Sequence, residues 1–323
     1  MAIPIHVDDL LIAAGSLTAL NTIKSGLRQE FKMKDLGKVK QFLGMRILYD
    51  REKGILQINQ QLYIQSILKH FRMEDATPIM TIMSNYDHFH KATADDDRTD
   101  QQQYQQAVGE LIYASDITRP DITFYVNRLA QYMQDPSVAN WNGVLKILRY
   151  LKGRPNYGII YRRAAPTPQF LGYSDADYVA REDRRSISGN IFILQGGAVA
   201  WTSSRQTIVA GSMMESEYIA LNEAGKTTVF LYEILQTIDP QDRLPITIYE
   251  DNEGTRKFAH NPQFHKRSKH IDTRYHYVRQ LLDDNLIAEE YIKSADMAAD
   301  MLTKPLRGDR LKYLMAAVGI GEI

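Results

Sequence analysis

Four carboxylates in the second half of the chain stand where an acidic side chain is costly. Asp175 follows the apolar run Phe170-Leu171-Gly172-Tyr173-Ser174, and Asp251 closes Ile246-Thr247-Ile248-Tyr249. Glu217 falls on the helical face that carries Met213, Met214, Ala220, Leu221, Ala224, Leu231 and Leu235, so it points inward. Asp300 lies within Ala298-Ala299-Asp300-Met301-Leu302-Thr303-Lys304, near the start of a last helix. Buried or clustered carboxylates repel one another unless they are paired or bind a cation. Hard divalent cations take oxygen ligands, and two of them about 3.5 to 4 Å apart drive in-line displacement at phosphorus. Each position also has a plainer reading: Asp175 as a turn former, Glu217 as a partner of the helix dipole, Asp251 as a helix N-cap. Asp177 shares a strand face with Asp175, and spacing does not separate the two. Glu215 shares a polar face with Asn222, Glu223 and Lys226 and reads as solvated; Asp296 reads as a first-turn acid after the cap Ser294.

The elements that must position these groups follow from periodicity. Strands are predicted over 170–174, 188–194 and 198–203, then a long helix over 214–238, a strand over 246–249, helical segments, a strand over 286–292 and a final helix. Three consecutive strands followed by alternating helix and strand describe an α/β unit, a mixed five-stranded sheet with helices on its faces. The first half is different in kind, an α+β region. Short strands flank Asp8-Asp9, helical spacing follows over 16–31, and Phe42 to Ile47 reads as one strand. A second strand lies over 55–58 and a helix over 60–71. Residues 77–99, with the run Asp95-Asp96-Asp97, read as a long surface connection. Helices are predicted over 104–115, from Arg119-Pro120-Asp121 to Tyr132 and over 139–152, with a closing strand at Ile159-Ile160-Tyr161. Pro166-Thr167-Pro168 marks the domain boundary, giving units over 1–165 and 168–308 and a C-terminal tail over 309–323.

Composition narrows the chemistry. The 323 residues are 44% hydrophobic and 24% charged, enough for about two cores. Lys and Arg balance Asp and Glu at 39 each, so any attraction to nucleic acid has to be local. The absence of cysteine excludes disulfides, thiol catalysis and Cys-ligated zinc. No apolar run approaches the roughly 20 residues that span a bilayer, and the start lacks the basic region and cleavage site of a signal peptide. The expectation is an intracellular protein with no membrane partner.

Seven ordered blocks, Tyr173-Ser174-Asp175-Ala176-Asp177, Arg184 to Gly189, Ala200-Trp201-Thr202-Ser203, Glu215 to Leu221, Glu250-Asp251-Asn252, Lys269-His270-Ile271-Asp272 and Ala299 to Leu306, resemble the ribonuclease H domain of copia-type LTR retrotransposons. They cover nearly all of 168–308. The resemblance implies a ribonuclease H-like fold and hydrolysis of the RNA strand of an RNA/DNA hybrid, with two Mg²⁺, or Mn²⁺ in their place, held by Asp175, Glu217, Asp251 and Asp300. Asp175 would bridge both ions, Glu217 and Asp251 would complete one site, and Asp300 the other. Many ribonucleases H carry a histidine just before the last acid; 293–299 holds none. His270 and Asp272 invite a metal or acid-base reading, but N-capping of the following helix is the plainer job for Asp272. Lys266, Arg267, Lys269, His270 and Arg274, interleaved with Tyr275 and Tyr277, are the candidate hybrid-binding surface, although a solvated helix face has the same composition.

The first half resembles the same family. Val7-Asp8-Asp9 matches the reverse-transcriptase catalytic turn, and Phe31 to Gly37, Phe42-Leu43-Gly44 and Thr118 to Ile122 follow in order. Residues 1–165 would then be a truncated palm remnant, thumb and connection. A polymerase needs a third carboxylate from an earlier strand. Without it, Asp8 and Asp9 are expected to be a vestigial polymerase site, with the rest of the reverse transcriptase or other Pol products as possible partners. Two functions stand against each other: an active ribonuclease H, and a catalytically silent transposon remnant that at most binds nucleic acid. Copia-type elements replicate in cytoplasmic particles and integrate in the nucleus, so either compartment fits.

Overall fold

In a computed structural model of the chain, the structure describes residues 2–86, 88–163, 170–178, 184–240, 243–260 and 272–323. The chain starts with a two-stranded hairpin, β1 (Ile5–His6) and β2 (Asp9–Leu10), followed by helix α1 (Leu17–Glu30). Ser16 caps α1 by accepting from the Ala19 amide, and the helix buries none of its residues. The stretch expected as one strand is instead a hairpin, β3 (Gln41–Phe42) and β4 (Met45–Asp50). Leu43 and Gly44 both take positive φ, 49° and 75°, the two-residue turn that matches the twist of paired strands.

Next come β5 (Ile55–Asn59), α2 (Gln61–His70), α3 (Gln101–Ile117), α4 (Pro120–Ala130), α5 (Val138–Lys152) and β6 (Gly158–Arg162). Pro120 opens α4 at a position where no amide partner is needed, and Ser137 with Asn140 forms a capping box on α5. The segment between α2 and α3, expected as a surface connection, is irregular but tied down. Ile82, Met83 and Phe89 are buried, the Asn140 amide donates to the His88 and His90 carbonyls, and the Tyr132 hydroxyl donates to Phe89 O at 2.5 Å. Its few apolar residues lack periodicity because they fill gaps among helices rather than cover a face.

The second half contains β7 (Leu171–Asp177), β8 (Ile187–Leu194), β9 (Gly197–Arg205), α6 (Met213–Ile238), β10 (Ile246–Glu250), α7 (Glu253–His260), α8 (Asp272–Asp283) and β11 (Ile287–Tyr291). The strand order is β9-β8-β7-β10-β11, antiparallel across β9, β8 and β7 and parallel across β7, β10 and β11. With α6 and α8 on one face, this is the ribonuclease H-like mixed sheet, preceded by a mixed α/β region. Residues 294–323 continue through 3-10 turns at Ser294–Asp296 and Ala298–Leu302, α9 (Gly308–Ala317) and β12 (Ile320–Gly321). Asp300 therefore sits on a 3-10 turn, not at the start of the last helix. The segment read as a tail is ordered: β12 pairs with β6, extending a second sheet of order β12-β6-β5-β4-β3.

Two cores explain why the halves lie together. Phe170, Phe192, Tyr218, Leu221, Ile246, Ile248 and Val278 form one, between the sheet and α6 and α8. Ile187, Ile191, Ile193, Met301 and Leu302 join the residues of α2 to α5 in the other. Successive side chains of a strand point to opposite faces, so β8, covered on both, reads as a nearly unbroken buried run. Trp201 donates to Ser115 O at 3.0 Å and Asn127 to Ser203 O at 2.9 Å, fixing the first half against β9. Pro166 to Pro168, the expected boundary, lies outside the described residues.

Candidate metal centre

Asp175, near the end of the central strand β7, is buried and is the hub of the site. Glu217 enters from the second turn of α6, whose N-terminus is fixed by Ser212 accepting from the Glu215 amide and by Glu215 Oε2 accepting from Gly211 N at 2.7 Å. Glu215, expected as a solvated charge, thus holds the end of the helix that carries Glu217. Asp251 follows β10 directly. The capping job open to Asp251 is done by Asn252, whose Oδ1 accepts from Gly254 and Thr255 amides at 2.9 and 3.2 Å. One ligand oxygen from each of Asp175, Glu217 and Asp251 lies within 4.8 Å of the others.

Asp300, on the 3-10 turn Ala298–Leu302, is brought to Asp175 by the residues that follow it, Thr303 and Lys304. Gly189 faces Asp175 across the β7–β8 ladder, and a Cβ there would lie 2.7 Å from Thr303 Cγ2 and 2.9 Å from Leu302 Cβ. A glycine is what lets the turn bearing Asp300 settle onto the sheet. The Thr303 hydroxyl donates to Asp175 Oδ2. Lys304 Nζ stands 2.7 Å from Asp300 Oδ1 and 3.5 Å from Asp175 Oδ2, and Arg310 Nη2 donates to Asp300 Oδ2 at 2.8 Å. Tyr125 anchors the same arm from α4 by accepting from the Leu306 amide at 3.1 Å. Asp177 accepts from the Tyr86 hydroxyl at 2.5 Å, and its charge also acts on Lys304.

The electrostatics are those of crowded acids. Burial pushes the Asp175 carboxyl up to about 7; Lys304 opposes the shift and the Asp300 charge adds to it. Glu217 is raised well above its ordinary range by burial and then by the Asp175 and Asp251 charges. Burial works against the Lys304 ammonium, but Asp175 and Asp300 more than compensate and hold it protonated. Sequence reasoning missed Glu250, which is fully buried with neither carboxylate oxygen hydrogen-bonded and is raised by burial and then by the Glu217 charge. The alternation Ile246, Ile248, Glu250 carried the signal, since these three share the buried face of β10. Glu289 on β11, also missed, is pushed up to about 7 by burial, with Arg256 opposing.

The two acids of the first half lie apart from this cluster. Asp8 and Asp9 lie on the exposed β1–β2 hairpin, where Val7 takes φ 52°. Lys266, Arg267, Lys269 and His270 lie outside the described residues, and Arg274 falls within α8, which begins at Asp272. Among the described residues no helix is long and apolar enough to cross a membrane.

A family profile described as reverse transcriptase (RNA-dependent DNA polymerase) matches residues 1–85. The chain is similar to the retrovirus-related Pol polyprotein from transposon TNT 1-94 of Nicotiana tabacum, 34% identical over 98% of this chain and 24% of that protein. It is also similar to the retrovirus-related Pol polyprotein from transposon RE1 of Arabidopsis thaliana, 32% identical over 99% of this chain and 22% of that protein. It thus spans about a quarter of the length of these relatives. Among solved structures, the foamy viral protease-reverse transcriptase in complex with RNA/DNA hybrid aligns with a TM-score of 0.53 at 14% identity, covering 90% of this chain and 36% of that one.

Proposed function

We infer from a chain that is retrotransposon Pol-polyprotein-like, with a reverse-transcriptase-like N-terminal region and a ribonuclease H-like C-terminal domain, that it is of the copia type and hydrolyses the RNA strand of RNA/DNA hybrids. The observation that carries this reading is the convergence of Asp175, Glu217 and Asp251, from a strand, a helix and a strand end, within 4.8 Å of one another. The motif blocks around all four acids supply the substrate class, and the Pol polyproteins it resembles supply the copia-type affinity. In this reading 1–165 descends from the polymerase and 168–308 is the nuclease unit.

The donor set fits hard divalent cations: it is all oxygen, it is acidic, and Glu217 Oε2 is buried without a hydrogen-bond partner. Asp175, Glu217 and Asp251 would hold one Mg²⁺ or Mn²⁺, and Asp175 with Asp300 a second. Such a pair supplies an activated water and charge stabilisation at the leaving oxygen. The chain's own residues prepare the place for it. Strand β7 and helix α6 fix Asp175 and Glu217 rigidly, and the Thr303 hydroxyl pins one Asp175 oxygen. The products would be 5′-phosphate and 3′-hydroxyl ends. The hybrid would lie along the basic stretch that includes Lys266, Arg267, Lys269, His270 and Arg274, and the protein would act in the cytoplasm, the nucleus or both.

The test is cleavage of an end-labelled RNA annealed to DNA, with Mg²⁺ and the full chain. Cleavage stopped by a chelator is expected, and Asp251→Asn should lose at least about a hundredfold in rate. A silent remnant is the outcome if no cleavage occurs at high protein concentration. Cleavage unchanged in Asp251→Asn sinks the assignment of the site.

A further inference from the structure

Both oxygens of Asp300 face protein cations, Oδ2 through a hydrogen bond from Arg310 and Oδ1 through an ion pair with Lys304 that lacks hydrogen-bond geometry. Lys304 Nζ is 2.7 Å from Oδ1, and Arg310 Nη2 is 2.8 Å from Oδ2. Lys304 reaches Asp300 because it lies four residues on, and its own amide donates to Asp300 O at 3.2 Å. From there the ammonium also comes within 3.5 Å of Asp175 Oδ2, the same oxygen that accepts from Thr303. A divalent ion shared by Asp175 and Asp300 would have to touch both carboxylates at about 2 Å. The ammonium that bridges them stands in that place. On the other side of Asp175 the situation is reversed. Among the described residues neither Glu217 nor Asp251 makes an ion pair, and Glu217 Oε2 has no partner at all.

We propose that Lys304 is a tethered cation that fills the second metal position until it is displaced, so that the site loads its two ions in order. This rests on the two-ion reading above. The first ion enters at Asp175, Glu217 and Asp251 without evicting a protein charge. The second must push the Lys304 side chain aside. That side chain is 35% exposed and can swing toward solvent, keeping its stem on the protein. Arg310 stays as the lasting counter-charge of Asp300, because its guanidinium is also held by the Ser294 and Ala295 carbonyls. The second ion is thereby made dependent on something else that favours an outward Lys304, and the phosphate backbone of a bound nucleic acid strand is an anion of the right kind for it.

The experiment is a Mn²⁺ titration of the full chain without substrate, read by calorimetry and by the electron paramagnetic resonance of free Mn²⁺. The wild-type protein should bind one ion strongly and a second at least tenfold more weakly. Lys304→Gln should tighten the second site by about tenfold or more and leave the first within about twofold, while Lys304→Arg, which keeps the charge, should bind as the wild type does. Equal affinities for two ions in the wild type, no gain in Lys304→Gln, the same gain in Lys304→Arg, or no binding by any variant would each overturn the proposal. Asp251→Asn tests the underlying site separately: it should abolish the first, strong binding whether or not Lys304 is changed.

Discussion

Helix α1 buries none of its 14 residues, whereas α4 buries nine of its 11. Both have an apolar stripe at helical spacing, and both follow a cap or a proline that starts a helix in the expected place. The difference lies in what covers them. The stripe of α4 meets β9, the Asp300 turn and the neighbouring helices in one continuous core. That of α1 leaves Leu17 68% exposed, and Phe31 beyond its end is 62% exposed. Periodicity therefore reports a helix, not its burial. The same contrast separates the two acidic motifs. Asp8 and Asp9 sit on an exposed hairpin that precedes α1, whereas Asp175 and Glu217 are buried between packed layers.

The largest effect should come from cutting the supports of the packed region. Arg119 and Asp121 form a buried ion pair at the start of α4, with Nη2 to Oδ2 at 2.7 Å and Nε to Oδ1 at 2.9 Å. Tyr150 from α5 donates to the same carboxylate at 2.8 Å, and Arg119 Nη1 donates to Arg154 O at 3.0 Å. Asp121→Ala leaves a fully buried guanidinium without its counter-charge, and such losses cost about 3 to 5 kcal/mol. Urea unfolding should show that loss, and the proposed nuclease activity should fall with it, because α4 carries the Tyr125 that anchors the Asp300 arm. A loss below about 1 kcal/mol would mean that α4 is no better supported than α1.

The sheet of the second half was legible because its strands carry β-branched and aromatic runs bounded by turn residues, and because the inward face of α6 put Glu217 toward the sheet. Three things were not. The β3–β4 hairpin was hidden because Leu43, which carries a left-handed φ, looks like a strand residue. The packing of 77–99 was hidden because its contacts are carbonyls accepting from Asn140, Arg154 and Tyr132, and carbonyls have no sequence signature. Lys304 lies four residues from Asp300 in the sequence, but its 3.5 Å approach to Asp175, across 128 intervening residues, exists only in the folded chain.

A middle-sized effect tests whether the packed region is charged with acids against its own stability. Asp175 and Glu289 are both pushed up to about 7, chiefly by burial, whereas in an unfolded chain such groups titrate near about 4. Below about pH 4 both states are protonated and nothing is lost. Between about pH 4 and 7 the folded protein keeps protons that the unfolded chain has released, so metal-free stability falls as pH rises through this window. Glu289→Gln keeps the neutral shape and should remove up to about 1.4 kcal/mol per pH unit from that slope, with no change below pH 4. Urea midpoints measured against pH in chelator would show it, and an unaltered slope would mean that Glu289 stays ionised beside Arg256.

The smallest effect is expected at α1, and its smallness is the informative part. A solvated apolar residue has little to lose, so Leu17→Ser should change unfolding free energy by no more than about 0.5 kcal/mol. Leu129→Ala on α4, buried completely, should cost about 2 to 5 kcal/mol through lost transfer energy and the cavity left behind. Comparing the two by urea unfolding separates an uncovered helix from one covered in solution. A cost above about 1 kcal/mol for Leu17→Ser that grows with protein concentration would show that copies of the chain bury this stripe against one another. A cost of that size independent of concentration would show that α1 folds back on its own chain, and the contrast with α4 would then fail.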